Sequence, residues 1–103
     1  MNSQKKVSFL KKPGRPLEVN ICAIPDWEGF DKLIKFLEIE YSAEILGRAD
    51  GPDARRWFLK VSGQEFELRH DDLYGNYLFA STKSGEPIVE EIGLDLERRL
   101  ANL

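Results

Sequence analysis

Arg56-Trp57-Phe58-Leu59-Lys60-Val61, then Ser62-Gly63-Gln64, then Glu65-Phe66-Glu67-Leu68-Arg69-His70: these residues decide the fold. In the last run, apolar Phe66 and Leu68 alternate with charged Glu65, Glu67 and Arg69. A period of two marks a strand with one face on a core and one toward solvent. In the first run Trp57, Leu59 and Val61 face one way, Phe58 and Lys60 the other. Ser62-Gly63-Gln64 turns tightly back between them, because glycine accepts positive φ at no steric cost. The tight turn makes the two strands antiparallel neighbours. Arg56 is then expected to pair across the sheet with Glu65 or Glu67, because both flank the same tight turn.

Working outward, Tyr77 to Ala80 is a short strand, with Leu78 and Ala80 opposite Tyr77 and Phe79. Ala43 to Arg48 is another, separated from Arg56 by the turn Asp50-Gly51-Pro52-Asp53. Upstream, Phe30, Leu33, Ile34 and Leu37 recur at helical spacing, with Trp27 before them and Tyr41 after. Asp26 is the expected N-cap and the helix ends near Ile39 to Tyr41. Val89, Ile92, Leu96, Leu100 and Leu103 form a second helical stripe, with Ser84 as its expected cap and Pro87 in its first turn. Before the first helix, Val7 to Lys11 and Leu17 to Ile24 read as strands around the turn Pro13-Gly14-Arg15-Pro16, the second not at the outer edge of the sheet. Residues 1–6 are polar and expected to fray. The order is β-β-α-β-β-β-β-α. The expectation is one α+β domain over residues 1–103, two layers thick, with a mostly antiparallel sheet of five or six strands and both helices on one face.

The bulk composition narrows the function classes. Of 103 residues, 42% are hydrophobic and 32% charged, as in an ordinary globular chain. The net charge of −3 is unevenly spread: residues 1–17 hold five basic residues and no acid, which leaves ten basic against eighteen acidic residues beyond, a net of −8. An acidic body repels nucleic acid, whose recognition leans on phosphate neutralisation, and suits a basic protein partner. No run is apolar enough to span a membrane, and Val7-Ser8-Phe9-Leu10 is too short for a signal-peptide core, so a cytoplasmic protein is expected. The single cysteine, Cys22, forms no internal disulfide and is expected to be a buried thiol.

Chemistry-bearing residues are sparse. His70-Asp71-Asp72 places a histidine beside two carboxylates, which is the material of a metal or acid–base site. It has no second set of ligands and no nucleophile near it in sequence, so no catalytic, metal or cofactor residue is assigned. Gly47, Gly51, Gly63 and Gly75 do not form a phosphate-binding loop. Arg55 and Arg56 beside Trp57 are the best basic-aromatic mixture for single-stranded nucleic acid, but the surrounding acids oppose that use. Asp71, Asp72, Leu73, Tyr74 and Tyr77 combine negative charge with aromatic and aliphatic anchors, the composition of a surface that covers a basic partner. An exposed sheet face or edge bearing Trp57 or Phe58 would instead serve a small homodimer with a structural or regulatory role.

The short acidic body, the central sheet with two helices and the loop Asp71-Asp72-Leu73-Tyr74-Gly75-Asn76 resemble the small α/β immunity proteins of bacterial toxin systems, and equally short bacterial proteins of the same pattern. The resemblance covers the general pattern of most of the chain and no motif residue by residue. It implies a stoichiometric inhibitor of a toxin, commonly a nuclease, blocked by acidic groups without chemistry of the inhibitor's own.

Overall fold

The computed structural model describes residues 5–102; residues 1–4, part of the segment expected to fray, and Leu103, the last member of the second helical stripe, lie outside the described residues. The elements follow the expected order: β1 (Ser8–Leu10), β2 (Glu18–Asn20), α1 (Trp27–Tyr41), β3 (Glu44–Asp50), β4 (Ala54–Val61), β5 (Gln64–Asp71), β6 (Gly75–Phe79) and α2 (Glu86–Leu100). The six strands form one antiparallel sheet in the order β1-β2-β6-β5-β4-β3. Thus β3 to β6 make a meander, and α1 carries the chain from β2 to the far edge. As expected, β2 is an inner strand.

The alternation works as read. Val19, Leu78, Leu68 and Trp57 lie in one cross-strand row on the covered face, where they are buried with Phe30, Leu33, Ile34 and Leu37 of α1 and Val89, Ile92 and Leu96 of α2. The β4–β5 turn places both Ser62 and Gly63 at positive φ, the backbone that lets a two-residue hairpin follow the twist of its strands. On α1, Asp26 caps as expected: its carboxylate accepts from Gly29 N–H at 2.8 Å.

Three expectations are corrected. The strand expected over Leu17 to Ile24 stops at Asn20, because Ile24 N–H bonds back to Ile21 C=O and turns the chain; Cys22 therefore points outward and its thiol is exposed, not buried. Ser84 does not cap α2. It sits in a 3₁₀ turn, Lys83–Gly85, that precedes the helix, and its hydroxyl bonds to Thr82. A free N–H of the first turn, Ile88 N, is served instead by Gln64 Oε1 at 3.1 Å from the start of β5. Finally, Trp57 lies buried on the covered face and offers nothing to a dimer interface, while Phe58 is half-buried on the open face.

The open face is less open than period-two logic implies. Glu67 is buried there, in register between Phe58 and Phe79. Arg56 and Arg69 donate to its carboxylate at 3.1 and 2.8 Å, and the Arg69 guanidinium lies 3.8 Å from the Phe79 ring centroid. Burial alone would raise the Glu67 carboxyl; the hydrogen bonds from Arg69 and Arg56 and their charges outweigh it and hold it low. Asp95 is held low first by the hydrogen bond from Tyr41, with Arg99 and Arg98 adding to it. Asp50 is held low first by the hydrogen bond from Trp57, then by Arg55. Carboxylates lowered by folding contribute stability that is complete above the ordinary carboxylate range and lost as pH falls through their folded values. Urea unfolding is therefore expected to show falling stability on acidification. Glu67→Gln should cost about 2 kcal/mol at neutral pH, less than a fully buried pair because Arg56 is half exposed. It should also make the acid loss shallower. A variant with unchanged stability and acid slope would contradict the role given to this pair.

Candidate functional site

Three of the buried polar side chains collect at one end of the sheet, where β3, β4, β5 and β6 present Asp50, Arg55, His70 and Asn76 in a single cross-strand row. The start of α1 lies over that row. Three of the four side chains are buried, namely Arg55, His70 and Asn76. The Arg55 guanidinium stands 4.3 Å from the Phe30 ring centroid, 4.9 Å from Trp27 and 5.0 Å from Trp57. Asp31 accepts from it at 3.0 Å and Asp50 at 3.3 Å. A cation removed from water needs such a set: aromatic faces for its charge and carboxylates for its protons. The box is filled by the chain's own arginine, so Arg55 is not free to read a nucleic-acid strand.

Asn76 is completely buried and joins the row to the helix. Its amide nitrogen donates to Ile24 C=O at 2.7 Å and to Asp26 C=O at 2.9 Å. Both amide protons are thereby used. Its oxygen lies 2.8 Å from His70 Nδ1, and the other ring nitrogen, Nε2, lies 3.0 Å from Asp72 Oδ1. The Trp27 ring meets the imidazole edge-on, 5.3 Å between centroids. Among the described residues no buried side-chain nitrogen or oxygen lacks a partner, and no three His, Cys, Asp or Glu side chains gather as a metal site.

The expected contact residues follow directly from His70. Asp71 ends β5, half-buried; its carboxylate accepts from Leu73 N–H at 2.8 Å, and its C=O accepts from Tyr74 N–H at 3.1 Å. Asp72 N–H donates to Asp53 C=O, and Asn20 donates to Tyr74 C=O at 3.1 Å. Gly75 leaves the turn at φ 81°, which a β-carbon would strain, and a β-carbon there would come within 3.1 Å of Pro25 Cβ. This hydrogen-bonded frame holds out the two large apolar side chains of the turn: Leu73 is 87% exposed and Tyr74 69%. Tyr77 lies on the open face of β6. With Tyr74, Ser8, Leu10, Glu18 and Asn20 it lines a groove of about 470 Å³.

The five residues therefore do different things. Tyr74 and Tyr77 share the groove, Leu73 stands at the tip, Asp72 reaches back to His70, and Asp71 is spent on the turn. The Arg55 box and the Asn76 link were not found by sequence reasoning. The one legible hint was Arg55 two residues before Trp57; nothing in the sequence joins that pair to Trp27 and Phe30. Compared with protein-family models, curated proteins and solved structures, the chain matches none.

Proposed function

We propose that the chain is a non-catalytic protein-binding module whose contact surface is the β5–β6 turn, Asp72, Leu73 and Tyr74, continued by Tyr77. The observation that supports it is the exposure of Leu73 and Tyr74 on a turn fixed by its own hydrogen bonds. Exposed apolar anchors cost stability-neutral positions their solubility, and a pre-ordered turn loses little entropy on docking, so anchor and frame together favour binding. The neighbouring carboxylates of Asp71, Asp72 and Asp53, on a body of net −8, select a basic partner. His70 has both ring nitrogens engaged and is buried, an arrangement that keeps substrate away from it. Neutralisation of a basic toxin, as an immunity protein performs it, is the biological role this chemistry fits.

Leu73→Ala and Tyr74→Ala, made together, are expected to change unfolding stability by less than about 0.5 kcal/mol, because both side chains are already in water. The same pair should remove a co-purifying basic protein at moderate salt. Retention of the partner by this variant would overturn the assignment of the turn.

A further inference from the structure

Asn76 fixes a proton on His70. Its amide protons both go to backbone carbonyls, so the atom facing His70 Nδ1 is an oxygen and Nδ1 must be the donor. An ionised carboxylate only accepts, so Nε2 must also carry a proton to bond Asp72. The observed contacts therefore require the imidazolium. In the neutral ring the one proton stays on Nδ1, since moving it would set two lone pairs against each other at a fully buried amide. Nε2 then turns a lone pair toward Asp72. The Asp72 side chain is 63% exposed and free to leave, whereas the His70 side chain is 3% exposed and fixed.

The surrounding charges leave Asp72 as the counter-ion. Arg55 on β4 is the cation next to the ring, and it is matched by Asp31 of α1 and Asp50 of β3. Asp26 at the start of α1 is engaged with Gly29 N–H, and Asp71 at the end of β5 with Leu73 N–H. Glu28 in the first turn of α1 is exposed to solvent. Asp53, in the loop between β3 and β4, meets the turn through its C=O, which accepts from Asp72 N–H.

We infer that His70 is a proton switch for the turn: doubly protonated it holds the Asp72 carboxylate, and with Nε2 bare it releases that carboxylate to a cationic group. Acidification therefore clamps Asp72, and a rise in pH presents it. The delivery of Asp72 to a partner rests on the reading of the turn as a contact surface; the switch itself does not.

The test uses the partner-free protein, labelled with ¹⁵N and ¹³C, in a pH titration by NMR. The expected result is that Nδ1 keeps its proton throughout, Nε2 alone exchanges its own, and the Asp72 carboxylate carbon moves in the same step. In Asp72→Asn the side-chain amide can donate to a bare Nε2 and accept from a protonated one. The pH step in the Leu73 and Tyr74 amide shifts should then shrink several-fold. A neutral ring protonated on Nε2, an Asp72 carbon that does not follow the ring, or an undiminished step in Asp72→Asn would each overturn the switch. Since no partner is present, such a failure leaves the contact surface standing, and a failed partner search leaves the switch standing.

Discussion

Asn76→Ala is expected to lower the free energy of unfolding by about 4 kcal/mol, read as a fall in the urea midpoint with an unchanged slope. The side chain is fully buried and makes three hydrogen bonds, to Ile24 C=O, Asp26 C=O and His70 Nδ1. Alanine leaves the Ile24 carbonyl and an imidazole N–H without partners, each costing roughly 1–3 kcal/mol when water cannot replace the lost group, and takes one of two donors from the Asp26 carbonyl, which keeps the N–H of Phe30. A void is added where the amide was. Small domains have only about 5–15 kcal/mol in hand, so one side chain would account for a large share. Asn76→Asp makes the sharper comparison. It keeps the shape but sets one carboxylate oxygen, in place of the amide nitrogen, against the Ile24 and Asp26 carbonyl oxygens, so its loss at neutral pH should equal or exceed that of alanine. A loss below about 1 kcal/mol in Asn76→Ala would mean that water or a local shift satisfies these groups, and that β6 is not tied to α1 through this residue.

Gly85→Ala is the second large effect, expected at about 3 kcal/mol. Gly85 is the N-cap of α2 and is buried, and a β-carbon there would overlap the carbonyl oxygen of Glu65. The obstacle is backbone belonging to β5, not the end of a flexible side chain. Relief therefore requires α2 to move off the sheet, or the start of β5 to shift against β4. The same contact brings Gln64 within reach of Ile88 N–H, so a displaced helix also loses its cap. Gly14→Ala is the matched control: φ there is 71°, with nothing near the position of a β-carbon. Its cost should be near the 1 kcal/mol of a left-handed alanine. Equal losses at the two sites, measured by urea unfolding, would show that the approach of helix to strand is looser than described.

The element order was legible because each element carries its own period. Phe66 and Leu68 against Glu65 and Arg69 is a local signal, as is Phe30-Leu33-Ile34-Leu37. What surrounds a residue is not local. Glu67 alternates like a solvated residue, yet it is buried, because Arg56 from β4 and Arg69 from its own strand close over it between two aromatic rings. Arg56 could be paired with Glu65 or Glu67 in advance, since both flank the same tight turn, and the structure selects Glu67. The Arg55 box could not be assembled, because Trp27, Phe30, Asp31 and Asp50 reach it from other elements. Cys22 was misplaced for a related reason. The run from Leu17 to Ile24, unbroken by a polar residue after Asn20, gives no sign of where hydrogen bonding stops; Ile21 is its last fully buried residue and Ile24 packs partly buried against the core. At the turn, residue types told more: Asp, Asn and Gly side by side announce bends. Only the structure divides the labour among Asp71, Asp72, Leu73 and Tyr74.

The most direct test of the contact surface places a photoreactive side chain at position 73 in the native cell, with the same side chain at position 39 as control. Leu73 and Ile39 are both exposed apolar residues, on the turn and on α1 respectively, and are 87% and 73% exposed. The account predicts that position 73 captures a single basic protein in high yield, that position 39 does not, and that Tyr74→Ala abolishes the capture. No product at position 73, or the same products at both positions, would contradict it.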